Sequence, residues 1–233
     1  MIELYGMGSP NVRKIAIMLE EVGAPYVVRR VDVFQSGQFT PEFMQLNPNC
    51  KVPVVVDHGE AGGAPVTVFE SGAILIYLAE KYRVLLPETE PRRSTVLQWL
   101  MIQTCNIGPM LGQLNHFGFR ARAGNDYSYG RYQREAKRLY GLLDQRLCSA
   151  AHLGGEAYSI ADIATYPWSL YLEKHGFDAA DYPALSAWRE AVGARPAVRR
   201  GFAAIAEIEP LDQEAMASAA PADLDRFFGR VTR

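Results

Sequence analysis

The chain has 233 residues, 48% of them apolar, enough for one large domain or two small ones with a substantial core. Its 24 basic and 26 acidic residues leave a formal net charge of −2, which argues against a general binder of nucleic acid or of a membrane surface. Three cysteines, Cys50, Cys105 and Cys148, show no C-x-x-C and no zinc spacing; a reducing compartment is expected rather than a disulfide-stapled secreted fold, and no metal.

Residues 2–5 form a short apolar run fit for a buried strand. Ser9-Pro10 follows as N-cap and first helical residue, and Val12, Ile15, Ala16, Leu19 and Val22 recur at helical spacing up to a stop at Gly23. Residues 26–33 alternate with Val27, Val31 and Val33 and read as a second strand, parallel to the first because a long crossover joins them. A polar loop over 35–40 leads to a short helix beginning at Pro41. Residues 52–56 and 66–69 read as a hairpin around the glycine-rich HGEAGGAP, and a helix follows over about 71–82.

From about Pro91 onward no strand is apparent. Helices are expected over 94–117, 130–147, 159–174, 183–192 and 196–208. The clearest amphipathic stripe is Tyr132, Ala136, Leu139, Tyr140, Leu143 and Leu147. The expected organisation is an α/β domain over 1–83, a linker to 91, an all-helical domain over 91–208, and a tail over 209–233. That tail is either loosely ordered or folded back onto the body. No basic start with an apolar core suggests a secretory signal, and no apolar stretch approaches the roughly 18 residues of a membrane span.

Several polar residues stand where strands hand over to helices. Ser9 and Asn11 flank a helix start, where free N–H groups and the dipole stabilise a thiolate. Their hydroxyl and amide can donate to a sulfur anion; on local sequence alone Ser9 reads more readily as a plain cap and Asn11 as a solvated polar residue. Lys51-Val52-Pro53 enters a strand through an X-Pro bond; a cis bond there turns the Val52 backbone toward an extended peptide, and Lys51 suits a carboxylate. A simple loop-to-strand junction is the other reading. Glu70-Ser71 places an acid and a hydroxyl at another helix start, matching the ammonium and carboxylate of a free amino-acid head, or again only a cap. Ser159 and Asp162 read as a structural capping box with Tyr158 and Ile163 as its staple. Cys50 beside Lys51 reads more readily as an inert small side chain than as a redox group.

Together, SPN, NPNCKVPVVVD, FESGAILIYLAEKY and YSIADIATYPW resemble the glutathione transferase family over roughly residues 1–208. GQFTPEF, DHGEAGG, LQWL and GPMLGQLNHF resemble one bacterial class within it, the Nu class, whose members are glutathione-dependent disulfide-bond oxidoreductases. The cysteine usage makes the expected compartment the cytoplasm. The resemblance implies a thioredoxin-like domain with a mixed four-stranded sheet, an all-helical domain, and a homodimer. It implies that Val52 before Pro53 pairs with the cysteinyl backbone of glutathione and that Glu70 and Ser71 hold the γ-glutamyl head. Lys51 and Gln38 would lie near the carboxylates or backbone, Asn11 and Ser9 would face the sulfur, and Arg131 would reach the tripeptide. The class often has threonine where Ser9 stands; serine keeps the hydroxyl. No cysteine occupies position 9 or 11.

The expected activity is therefore disulfide reduction by a bound glutathione thiolate, with one or two glutathione molecules or glutathione disulfide per site, and no nucleic-acid or membrane partner. Two alternatives share the fold: a transferase conjugating glutathione to apolar electrophiles, with Trp99, Phe117 and Phe119 as candidate pocket residues, and a non-catalytic partner-binding module.

Overall fold

The computed structural model describes residues 1–59 and 63–231; residues 60–62 of the expected hairpin turn, and 232–233 of the expected tail, lie outside the described residues. The first half runs β1 (Ile2–Gly6), α1 (Pro10–Glu21), β2 (Tyr26–Arg30), two 3-10 turns at Val33–Gln35 and Gly37–Phe39, α2 (Pro41–Leu46), β3 (Val54–Asp57), β4 (Val66–Phe69) and α3 (Ser71–Tyr82). The sheet order is β2-β1-β3-β4. β1 pairs parallel with β2, Ile2 opposite Tyr26, and antiparallel with β3, Leu4 opposite Val55; β3 pairs antiparallel with β4, Val54 opposite Phe69. This is the mixed four-stranded sheet that the sequence implies.

β2 stops at Arg30, three residues short of the expected strand. The Val31 N–H still donates to the Gly6 carbonyl at 2.8 Å, but the chain then turns so that both Val33 and Phe34 enter the core beside Phe43 and Val54. α1 begins as its residues dictate: Ser9 is extended (φ −139°), its Oγ accepts from the Val12 N–H at 3.3 Å, and Pro10 occupies the first turn. Gly23, at φ +65°, follows its end.

After α3 come α4 (Arg92–Ile102), α5 (Gly108–Asn115), α6 (Asp126–Ser149), α7 (Ile160–Ser169), α8 (Pro183–Gly193), α9 (Pro196–Ala206), α10 (Glu209–Ser218) and α11 (Pro221–Phe227). The helix expected over 94–117 is interrupted by π-helical turns at Gln103–Ile107 and His116–Arg120. α6 buries Ala136, Leu139, Tyr140 and Leu143 from its expected stripe. α7 is buried along its whole length and ends at Ser169, short of the expected 174. The capping box at its start is complete, and Asp162 Oδ1 also accepts from the Leu153 N–H at 3.0 Å and the Trp188 indole at 2.9 Å. Among the described residues no helix is long and apolar enough to cross a membrane.

The chain divides into two compact units, one of Met1–Leu78 together with the residues from Pro196 onward, the other of Ala79–Arg195. The sequence division at 83 and 91 assigned α9 to the helical half and left 209–233 as a tail; the structure groups α9, α10 and α11 with the sheet. α9 lies along α1 so closely that a Cβ on Gly201 would stand 2.7 Å from the backbone N of Ile17. α1 therefore has its apolar residues buried on more than one face, from Val12 to Leu19.

Candidate functional site

Most of the sequence-predicted residues fall in the first unit, on loops that leave the sheet and enter helices. Ser9 and Asn11 are half-buried at the start of α1. One turn further along that helix, Lys14 is 1% exposed, and its Nζ donates to Ser71 Oγ at 3.2 Å. Burial pushes the Lys14 ammonium down to about 7, against the upward pull of the Glu70 carboxylate. Lys14 thus ties α1, whose first turn carries Ser9 and Asn11, to the start of α3, which carries Glu70 and Ser71.

The loop before β3 joins the same group. Asn47, buried, donates from Nδ2 to the Lys51 carbonyl at 2.7 Å and accepts the Asn49 N–H at 2.9 Å. Asn49 Nδ2 in turn donates to Glu70 Oε1 at 3.3 Å. The Val52–Pro53 peptide is cis. Val52 packs with Tyr5 and Met7 against the cluster that holds Val31, Phe34 and Val54.

Three residues without glycine's freedom sit at positive φ beside these positions: Ser36 (63°) two residues before Gln38, Cys50 (55°) before Lys51, and Glu70 (68°) before Ser71. Such conformations persist where surrounding structure enforces them, and they concentrate at binding sites. Gln38 is buried, with no donor to its Oε1 among the described residues. A buried acceptor left in that state favours a ligand that donates to it. Cys50 is buried, its Sγ 3.7 Å from the Pro48 carbonyl.

The structure brings Ser71 and Glu70 together with Lys14 and Asn49 through hydrogen bonds or charge, and sets Lys51 and Val52 on a loop pinned by Asn47. Arg131 stands exposed near the start of α6, in the second unit. Sequence reasoning missed Lys14 and Asn47. A lysine amid Ile15, Ala16 and Ile17 was the available signal for the first, and the Asn-Pro turn for the second.

The chemistry of this arrangement suits a zwitterionic amino-acid head at Glu70–Ser71, an extended peptide at Val52, and an anion at the start of α1. Residues 8–81 match the family model described as "Glutathione S-transferase, N-terminal domain", and residues 109–196 match "Glutathione S-transferase, C-terminal domain". A relative from Escherichia coli K12, disulfide-bond oxidoreductase YfcG, is 47% identical over 198 residues, covering 84% of this chain and 92% of its own. A glutathione transferase family member from Pseudomonas fluorescens, solved with two glutathione bound, superposes with a TM-score of 0.81 at 43% identity over 86% of this chain and 92% of that one. A glutathione transferase from Pseudomonas putida, solved with one glutathione disulfide per subunit, gives 0.81 at 39% identity over 86% and 90%.

Proposed function

Since this chain belongs to the glutathione S-transferase family, we propose that it is a glutathione-dependent disulfide reductase whose nucleophile is the bound tripeptide's own sulfur. The observation that carries this reading is the lack of a thiol where the helix start would activate one. Positions 9 and 11 are Ser9 and Asn11, and Cys50 is buried. The relative named a disulfide-bond oxidoreductase and the neighbours holding two glutathione molecules or glutathione disulfide support it.

In this reading Glu70 accepts the γ-glutamyl ammonium, and Ser71, backed by the Lys14 ammonium, holds the adjoining carboxylate. The Val52 backbone pairs with the cysteinyl residue, while Lys51 and Gln38 serve the carboxylate or backbone groups further along; Pro53 fixes the direction of Val52. Ser9 and Asn11 donate hydrogen bonds to the sulfur at the positive end of α1, which lowers the thiol's pKa. Ser9 does this without giving up its capping role: its oxygen accepts from Val12 while its O–H is free to turn elsewhere. Arg131 is included on the family resemblance alone. Glutathione supplies the attacking sulfur, one S–S bond forming as another breaks; a second glutathione completes the exchange, giving glutathione disulfide and two substrate thiols, the departing thiolates taking protons from solvent. Orientation and anion stabilisation are the protein's part.

The same reading places the protein in the cytoplasm, where glutathione is reduced, and assembles it as a homodimer, as the family resemblance implies. The test is glutathione-dependent reduction of a small model disulfide, coupled to NADPH oxidation through glutathione reductase, run beside an aromatic conjugation assay. Disulfide turnover well above conjugation is expected. Conjugation without disulfide turnover would make it a conjugating transferase, and failure to bind millimolar glutathione would leave a non-catalytic module.

A further inference from the structure

Of the two C-terminal helices, α10 reaches back to the turn that carries Ser9 and α11 to the 3-10 turn at Val33–Gln35. Asp212, on α10 and 6% exposed, accepts the Gly8 N–H at Oδ2 (2.7 Å) and Arg30 Nε at Oδ1 (2.8 Å). Arg30 also holds Asp32 and the Leu211 carbonyl, at 3.2 and 3.1 Å. Glu209, one turn earlier on α10, pairs with Arg13 of α1. The approach is close: a Cβ on Gly8 would lie 2.7 Å from Glu209 Cγ. One turn further along the same face of α10, Ala215 belongs to the buried cluster that Met216, with Leu224 and Phe227 of α11 and with Tyr5, Met7 and Val52, packs against. Ser36 donates to Asp223 at 2.6 Å, and Phe227 meets Phe34 at 4.7 Å. Neither family model extends past residue 196, so this strap lies outside the matched spans.

We propose that Asp212 is a positioning residue of the glutathione site: by holding the Gly8 N–H from α10, it fixes the turn that leads into Ser9 and so sets the direction of the Ser9 hydroxyl. The turn is held at two points, by Asp212 on the Gly8 N–H and by the Ser9 Oγ, which accepts from the Val12 N–H. A turn so constrained presents its hydroxyl without reorganisation when charge develops on the sulfur. Arg30 balances the Asp212 carboxylate, so the acid contributes geometry rather than a bare negative charge beside a thiolate. The inference rests on the function proposed above.

The experiment compares the full-length protein with Asp212→Ala and Asp223→Ala. It reads glutathione affinity, disulfide turnover, melting temperature, and the thiol titration of bound glutathione by thiolate absorbance near 240 nm. Asp223→Ala loosens the strap at α11 without touching Gly8, and is expected to lower the melting temperature while leaving the titration in place. Asp212→Ala is expected to raise the bound thiol's pKa by about one unit and to lower kcat about tenfold, with affinity changed less than threefold. Loss of a negative charge alone would lower that pKa, so a downward shift overturns the proposal. So does an Asp212→Ala protein that melts earlier but keeps the wild-type titration and kcat. Wild-type protein that binds no glutathione overturns the functional reading and this inference with it, whereas active wild type with indifferent Asp212→Ala sinks only the inference.

Discussion

Lys14 Nζ donates to Ser71 Oγ at 3.2 Å, with both side chains buried. Burial holds the ammonium down to about 7, well below the usual lysine value of 10.5. Between those two values the unfolded chain binds a proton that the folded chain does not. The contribution of Lys14 is therefore fully present above about 10.5 and is lost as the pH falls toward about 7. Denaturant melts of wild type and Lys14→Met at pH 7 and pH 9 are expected to show wild type gaining stability relative to the variant as pH rises. A constant difference would mean that Lys14 does not titrate in that window. The same variant is expected to bind glutathione more weakly, since the cation behind Ser71 is gone.

Ser9 serves as helix cap and as proposed sulfur donor, and substitutions separate the two. Ser9→Ala is expected to cost about 1 kcal/mol of stability as a lost cap. It is also expected to slow disulfide reduction about a hundredfold if its hydroxyl faces the sulfur. Ser9→Thr keeps the hydroxyl and should recover most of both. Turnover unchanged in Ser9→Ala and in Asn11→Ala would remove this pair from the mechanism.

His175 is buried between Tyr140 and Asn115. Its Nδ1 lies 2.8 Å from the Tyr140 hydroxyl and its Nε2 3.1 Å from Asn115 Oδ1. The neutral ring suits both neighbours, accepting from the tyrosine and donating to the amide. Burial, aided by the Lys174 charge, lowers its pKa from 6.5 to about 4. Its contribution is present above 6.5 and lost as the pH falls toward about 4, where the ring must charge in place. Acid melts of wild type should steepen across that window, and His175→Gln should flatten them; equal slopes would contradict the assignment.

Asp162→Ala removes the reciprocal cap of α7 and leaves the buried Leu153 amide and Trp188 indole without their acceptor. A loss of about 3 kcal/mol or more is expected by chemical denaturation, because orphaned buried donors retain their full desolvation cost. A loss under about 1 kcal/mol would mean that the network relaxes.

The elements around the sheet were readable because each carries local chemistry. Ser9-Pro10 opens α1, alternating valines mark β2, an unbroken valine run marks β3, and Ser159 with Asp162 opens α7. Glu70, Ser71, Lys51 and Val52 were legible through their places at strand–helix junctions together with the family resemblance. What escaped depends on partners distant in sequence. Lys14 reads as a solvated helix position until Ser71, at the start of α3, is seen beside it. Asp212 reads as one acid in an Ala-rich tail until Gly8 and Arg30 are seen beneath it. Val33 was assigned to a strand by alternation, yet the chain turns there because Phe34 also enters the core.

The contact between Gly201 and the backbone of Ile17 bears on how the protein is made. A ribosome releases the sheet and α1 early, but the helix that covers α1 is encoded beyond residue 195. The nascent first unit must wait, with one face of α1 bare, through the whole synthesis of the intervening helices. Premature termination before α9 would yield a chain with a sheet and no lid for α1, a natural substrate for chaperones. Even a methyl group at position 201 would hinder the docking of α9 after the sheet and the intervening helices had been made.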